Sequence, residues 1–259
     1  MDLIFDYPLI PLYLFGVMVF AGVVHGGLGI GFPMIATPLI AVFVDVRLAI
    51  LMTLLPTMAV NLASIAGGTD QIRSVKDYAP MFVGSLVGSV IGAWMLATMD
   101  PSPFRLALAL LIFLYLWSTV NSPTPAPWIS RDSKTVMCGF GLVAGISGGI
   151  TNVMIAILII YFLGLSMSRS KMVPILNICF LIAKLTQMAV LGMAGWFTLA
   201  LVYQTVLPSV AALGGFWAGM KLSNRISNEI YRKMLHALLM ILAVVLIGQF
   251  LIDLAADPA

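Results

Sequence analysis

Apolar residues fill this chain in long runs parted by short polar segments. Continuous runs cover residues 48–66, 79–98, 104–120, 172–194, 197–220 and 233–252. A helix of such length crosses the ~30 Å hydrocarbon core of a bilayer, so each run predicts a membrane span. Two further runs, 12–44 and 135–163, are longer, and each is interrupted. At about 1.5 Å of rise per residue, 12–44 is too long for one ordinary span and too short for two. Two half-helices fit it better, either in line or folded back as a re-entrant hairpin.

The interruptions resemble each other. The first is Val24-His25-Gly26-Gly27-Leu28-Gly29-Ile30-Gly31-Phe32-Pro33, and the second is Ala144-Gly145-Ile146-Ser147-Gly148-Gly149-Ile150-Thr151-Asn152. Glycine costs a helix interior about 1 kcal/mol relative to alanine. In a bilayer an opened backbone survives only where protein or a water-filled cavity covers it. Matched interruptions in two halves of a membrane chain point to a transport site; close glycine packing is the plainer reading. Other features repeat in the same order. Gly84, Gly88 and Gly92 share one helix face, as do Gly215 and Gly219, and both faces suit either internal packing or a dimer. Gly22 falls opposite Gly145, and Asn61 opposite Lys184. The predicted fold is all-α and polytopic, with repeat 1 at 12–120, a proline-rich linker at 121–134 and repeat 2 at 135–252. Each repeat holds one interrupted segment plus three spans, about eight membrane segments in all.

Composition agrees. Of 259 residues, 61% are hydrophobic and only 9% charged, far below the roughly 25% of soluble domains. The net charge of +3 and the pI near 9.0 reflect loop Lys and Arg, not a nucleic-acid surface. Cys138 and Cys179 lie in apolar segments and read as small buried hydrophobes. Met1 to Asp6 has no basic region, so the first apolar run is the expected targeting signal. Ser227 or Asn228, followed by Glu229, makes a candidate cap for the last span. Most Trp residues fall near span ends, as interfacial anchors do.

Charge also selects a topology. If both interrupted runs fold back, Arg73, Lys76, Arg131, Lys134, Arg169, Lys171, Lys221, Arg225, Arg232 and Lys233 share one side, ten against Arg47 and Arg105 on the other. If both cross, the split is eight to four. The positive-inside rule favours the first arrangement, with both termini outside. Three full spans per half then invert the second half relative to the first, an architecture common in secondary transporters.

Lys184 is the sharpest candidate for chemistry. It sits deep within an apolar span, and no span carries a central Asp or Glu to pair with it. A lysine so placed must shed its proton or find an anion. Asn177 and Gln187 lie near the same face of its helix, while Thr53, Thr57, Asn61 and Ser64 form a polar stripe in the first half. Helix N-termini at the breaks would add N–H donors. Together these suit a small oxyanion. The candidate binding set is Lys184, Asn177, Gln187, Asn61, Thr57, His25, Gly26, Gly27, Gly29, Ser147, Gly148, Gly149, Thr151 and Asn152. His25 is also a candidate proton carrier. No HExxH pair, GxSxG elbow or paired intramembrane carboxylate is present, so no enzyme, metal or cofactor is expected.

Gly26 to Pro33, with Pro38 downstream, resembles the glycine-rich first motif of the TauE/SafE family, bacterial exporters of sulfite and organosulfonates. Gly141 to Gly149 resembles the second-half copy of that motif, with Thr151-Asn152 standing where a longer glycine run is common. The resemblance covers residues 12–252. It implies an inner-membrane exporter of a sulfur-containing oxyanion. Uptake coupled to H+ or Na+ would use the same residues, and a scaffold or maturation partner that moves nothing predicts a dry interior.

Overall fold

The computed structural model describes residues 9–67, 75–120, 129–222 and 228–256, and within them the chain is all helix and connecting turns. Eight helices are long and apolar enough to cross a membrane: α1 (Leu9–Leu28), α3 (Val46–Ala66), α4 (Ala79–Thr98), α5 (Ser102–Val120), α6 (Lys134–Thr151), α8 (Arg169–Met193), α9 (Leu199–Leu222) and α10 (Asn228–Ala256). Two short ones, α2 (Phe32–Ala41) and α7 (Ile155–Gly164), follow the interruptions. Arg73, Arg225, residues 121–128 of the linker, Trp128, both extreme termini and Ser227 of the candidate cap lie outside the described residues. Residues 228–232, which precede the apolar run at 233–252, are the first turns of α10.

Local signals explain several boundaries. Asp45 caps α3 by accepting from Leu48 N at 3.0 Å, and Ser133 caps α6 by accepting from Val136 N at 3.4 Å. Pro33 and Pro80 sit in the first turns of α2 and α4, where no amide donor is missed.

The interruptions are narrower than the glycine content suggests. α1 continues through Gly26 and Gly27, and α6 through Gly148 and Gly149. The turns come after them, with Gly29 and Gly31 at φ 73° and 105° in the first and Asn152 at φ 66° in the second. Most of the helical glycines serve packing. α4 and α6 run parallel, with Gly84, Gly88 and Gly92 laid against Cys138 to Gly149. α1 and α9 run parallel in the same way, with Gly22 and Gly26 against Ala212 to Met220. A Cβ on Gly145 would lie 2.8 Å from Ser89 N, and one on Gly26 2.8 Å from the Phe216 carbonyl carbon. Only a missing side chain permits backbones this close. The two glycine faces therefore meet partners within the chain, and a dimer would need another surface.

After each turn the chain doubles back. Tyr13, near the start of α1, donates to Leu39 O near the end of α2 at 2.8 Å, and Phe43 packs on its ring. Phe140 of α6 meets Tyr161 of α7 with ring centroids 5.2 Å apart. Both pairs are helical hairpins, and they enter the bundle from opposite ends. The α1–α2 hairpin shares its open end with the last turns of α10, where Gln249 donates to Val42 O at 2.8 Å; we call this the terminal end. The Arg105–Asp253 ion pair lies there too. The α6–α7 hairpin opens at the linker end, where Arg131 pairs with Asp77 at 2.5 Å. α3 packs against the α1–α2 hairpin, α8 against the α6–α7 hairpin, and the two helices against each other.

Candidate functional site

The tip of the α6–α7 hairpin reaches Thr53, two turns into α3 from the terminal end, and Lys184 of α8. A closed set of hydrogen bonds forms there. Thr53 gives its hydroxyl proton to its own helix, at Ala49 O (2.9 Å) or Ile50 O (3.0 Å). Its oxygen accepts from Asn152 Nδ2 at 2.9 Å, and Thr37 of α2 accepts from the same amide at 3.0 Å. With both amide hydrogens used, Asn152 turns its Oδ1 to the Lys184 ammonium, which donates to it. Gln187 is held likewise. Its Nε2 donates to Gly149 O at 2.8 Å and Gly148 O at 3.2 Å, so Oε1 faces Lys184 and accepts from it. Both amides are thus oriented by their other bonds to present oxygen to the cation.

Lys184, Gln187, Asn152, Thr37 and Thr53 are all at most 1% exposed. An ammonium has three N–H donors. Two point at neutral oxygens here, and no carboxylate pairs with Lys184 among the described residues. Ser147 and Thr151 brace the turn. Ser147 Oγ bonds Ala144 O at 2.9 Å and Val153 O at 3.3 Å, and Thr151 Oγ1 donates to Ser147 O at 2.7 Å.

The other hairpin tip builds a separate cluster. Asn177, two turns into α8 from the linker end, donates from Nδ2 to Gly29 O (2.9 Å), Ser64 Oγ (3.1 Å) and Val173 O (3.0 Å). His25 Nδ1 accepts from Phe32 N at 3.4 Å, fastening α1 to the start of α2. Arg169, at the first turn of α8, donates to Leu28 O at 3.1 Å and Gly27 O at 2.9 Å.

The expected site residues therefore divide. Lys184, Gln187, Asn152, Gly148 and Gly149 come together at one tip, with Ser147 and Thr151 behind them. His25, Asn177, Gly27 and Gly29 gather at the other. Asn61 is buried on α3, one turn before Ser64. Thr57 spends its hydroxyl on Thr53 O of its own helix at 2.6 Å, and Gly26 is a packing contact with α9. Sequence reasoning missed Thr37, a single hydroxyl in an otherwise apolar helix, and named Thr53 only as part of a stripe.

Two cavities flank this interior. One of about 430 Å³ at the linker end is lined by Tyr78, Arg131, Ser166, Ser168 and Lys171 among others. An apolar one of about 200 Å³ lies between α1, α3 and α9. Lys184 lines neither.

The family model described as sulfite exporter TauE/SafE matches residues 14–246, nearly the whole chain. No curated protein and no solved structure matches it. The chain belongs to the TauE/SafE family, multi-pass membrane transporters of sulfite-type anions.

Proposed function

We propose that this TauE/SafE member exports a small sulfur-containing oxyanion, sulfite or a sulfonate, through a site centred on Lys184. The observation that carries the reading is the Lys184 ammonium itself, buried at a hairpin tip and answered, among the described residues, only by neutral oxygens. A buried cation with a free donor and no counter-charge is stabilised by a bound anion. The start of α7 lies at the same tip, where its first amides add a positive dipole end. An anion leaving a cell that is negative inside gains about 2.3 kcal/mol per charge for each 100 mV, so outward movement needs no coupled proton.

The architecture supports this reading. In it, 12–120 and 135–252 are inverted repeats with exchanged hairpins: α1 packs on α9 as α6 packs on α4. Both hairpins are re-entrant, so the termini share one side. Arg47 and Arg105 lie at the terminal end, while Lys76, Arg131, Lys134, Arg169, Lys171, Lys221 and Lys233 lie towards the linker end. By the positive-inside rule the linker end is cytoplasmic and the termini periplasmic, in a bacterial inner membrane.

The test is thermal stabilisation of the detergent-solubilised protein by sulfite, sulfate, thiosulfate, taurine, sulfoacetate, phosphate and acetate. A ligand of the folded state adds about 2.7 kcal/mol at a hundred times its dissociation constant. A shift with a sulfur oxyanion, absent in folded Lys184→Met, is the expected result. A shift that persists in Lys184→Met removes Lys184 from the site. Accumulation in inside-out but not right-side-out vesicles then establishes export.

A further inference from the structure

Buried polar atoms are not satisfied evenly in this protein. At the Lys184 tip the amide oxygens and nitrogens of Asn152 and Gln187 all have partners. At the other tip His25 Nε2 and Asn177 Oδ1 have none among the described residues, and neither do the two amide atoms of Asn61 on α3. His25, Asn61 and Asn177 are each at most 1% exposed. A buried polar atom without a partner forfeits its hydration for nothing, so several in one place ask for an occupant.

These atoms belong to one neighbourhood. Asn177 bonds Ser64, and Asn61 stands three residues before Ser64 on the same face of α3. The His25 ring faces the Asn177 side chain without the alignment of a hydrogen bond. Because His25 Nδ1 accepts from Phe32 N, a neutral ring carries its proton on Nε2. The free atoms are therefore donors (His25 Nε2, Asn61 Nδ2) and acceptors (Asn177 Oδ1, Asn61 Oδ1). Arg169, the cationic side chain that reaches this tip, is engaged with the carbonyls of Gly27 and Leu28.

We infer that His25, Asn61 and Asn177 frame a second, uncharged site at the α1–α2 tip that binds a group carrying its own O–H. A fully ionised oxyanion has only acceptors and would leave two amide oxygens unanswered. An O–H group gives and accepts at once. Two sources supply it: resident water, or the O–H of a singly protonated oxyanion.

Crystals of the full chain grown from a lipidic phase, with and without hydrogensulfite, distinguish them at a resolution that shows single waters. The expected result is oxygen density within hydrogen-bond reach of His25 Nε2 and Asn177 Oδ1. Density identical in both crystals, without anomalous sulfur signal beside it, identifies water. Sulfur signal beside it in the hydrogensulfite crystal identifies the anion. Asn61→Leu keeps the approximate volume and removes the amide. It is expected to abolish the density and, where the anion is the source, to weaken hydrogensulfite binding about tenfold, the worth of one hydrogen bond. Empty density with the three side chains turned onto one another overturns the site, as does density unchanged in Asn61→Leu. The water outcome is readable in a protein that binds no anion, so failure of the Lys184 reading leaves this test standing.

Discussion

At the tip of the α6–α7 hairpin the chain turns through Asn152 at φ 66°, and at the tip of α1–α2 it turns through Gly29 at φ 73°. The two positions correspond in the offset that also sets Asn61 opposite Lys184 and Ser64 opposite Gln187. Left-handed backbone favours glycine and tolerates asparagine, so either residue makes the turn. Their consequences differ. Asparagine brings an amide that joins α2, α3 and α8 around a cation. Glycine brings only its carbonyl, and the polar groups around it stay partly unanswered. One hairpin geometry, used twice, thus frames a hydrogen-bonded cluster around an ammonium and a second cluster whose buried polar atoms are partly unanswered.

The largest effects should come where the hairpins are equal. Gly145→Val and Gly26→Val each drive a side chain into neighbouring backbone. Backbone cannot yield as a side chain does, so each should cost above about 4 kcal/mol. Loss of the monodisperse peak in size-exclusion chromatography checks this. If one variant survives, the two seams are not equivalent. Next is Asn152→Val, which puts a β-branched residue at positive φ and strips an oxygen from Lys184. Denaturation in detergent should show a loss of about 3–5 kcal/mol. Asn152→Gly keeps the backbone and loses only the amide, at about 1–3 kcal/mol. A gap between these two variants separates turn geometry from the network. The smallest change is expected from Gly29→Asn with Val173→Ala, which clears the Val173 methyl 2.8 Å from a new Cβ. It copies the second tip onto the first and should stay within about 1 kcal/mol of the parent.

Much of this was legible in the sequence, because membrane spans announce themselves by length and glycine faces by spacing. The helices at 79–98 and 104–120, the paired interruptions and Lys184 as an ion without a carboxylate all follow from the order of residues. The division of the polar residues into two clusters does not. Asn177 and Lys184 share a helix face, but seven residues at about 1.5 Å each set them roughly 10 Å apart, at different hairpin tips. The Asn152–Thr37 bond joins positions 115 apart, and nothing local marks Thr37 as its acceptor. The glycines misled slightly. Gly26 and Gly149 looked like breaks because glycine weakens isolated helices, whereas here they let helices touch.

The exchanged seams also bear on how the chain assembles. When α6 leaves the ribosome, α4 is already made and its glycine face is waiting. α1 has no such partner: Gly22 rests on Ala212, about 190 residues downstream. At about 5–20 residues per second that is a delay of roughly 10–40 s. Through it the first hairpin must wait, inserted without its neighbour or held by another factor, so the seam that holds α1 closes only once α9 has been made.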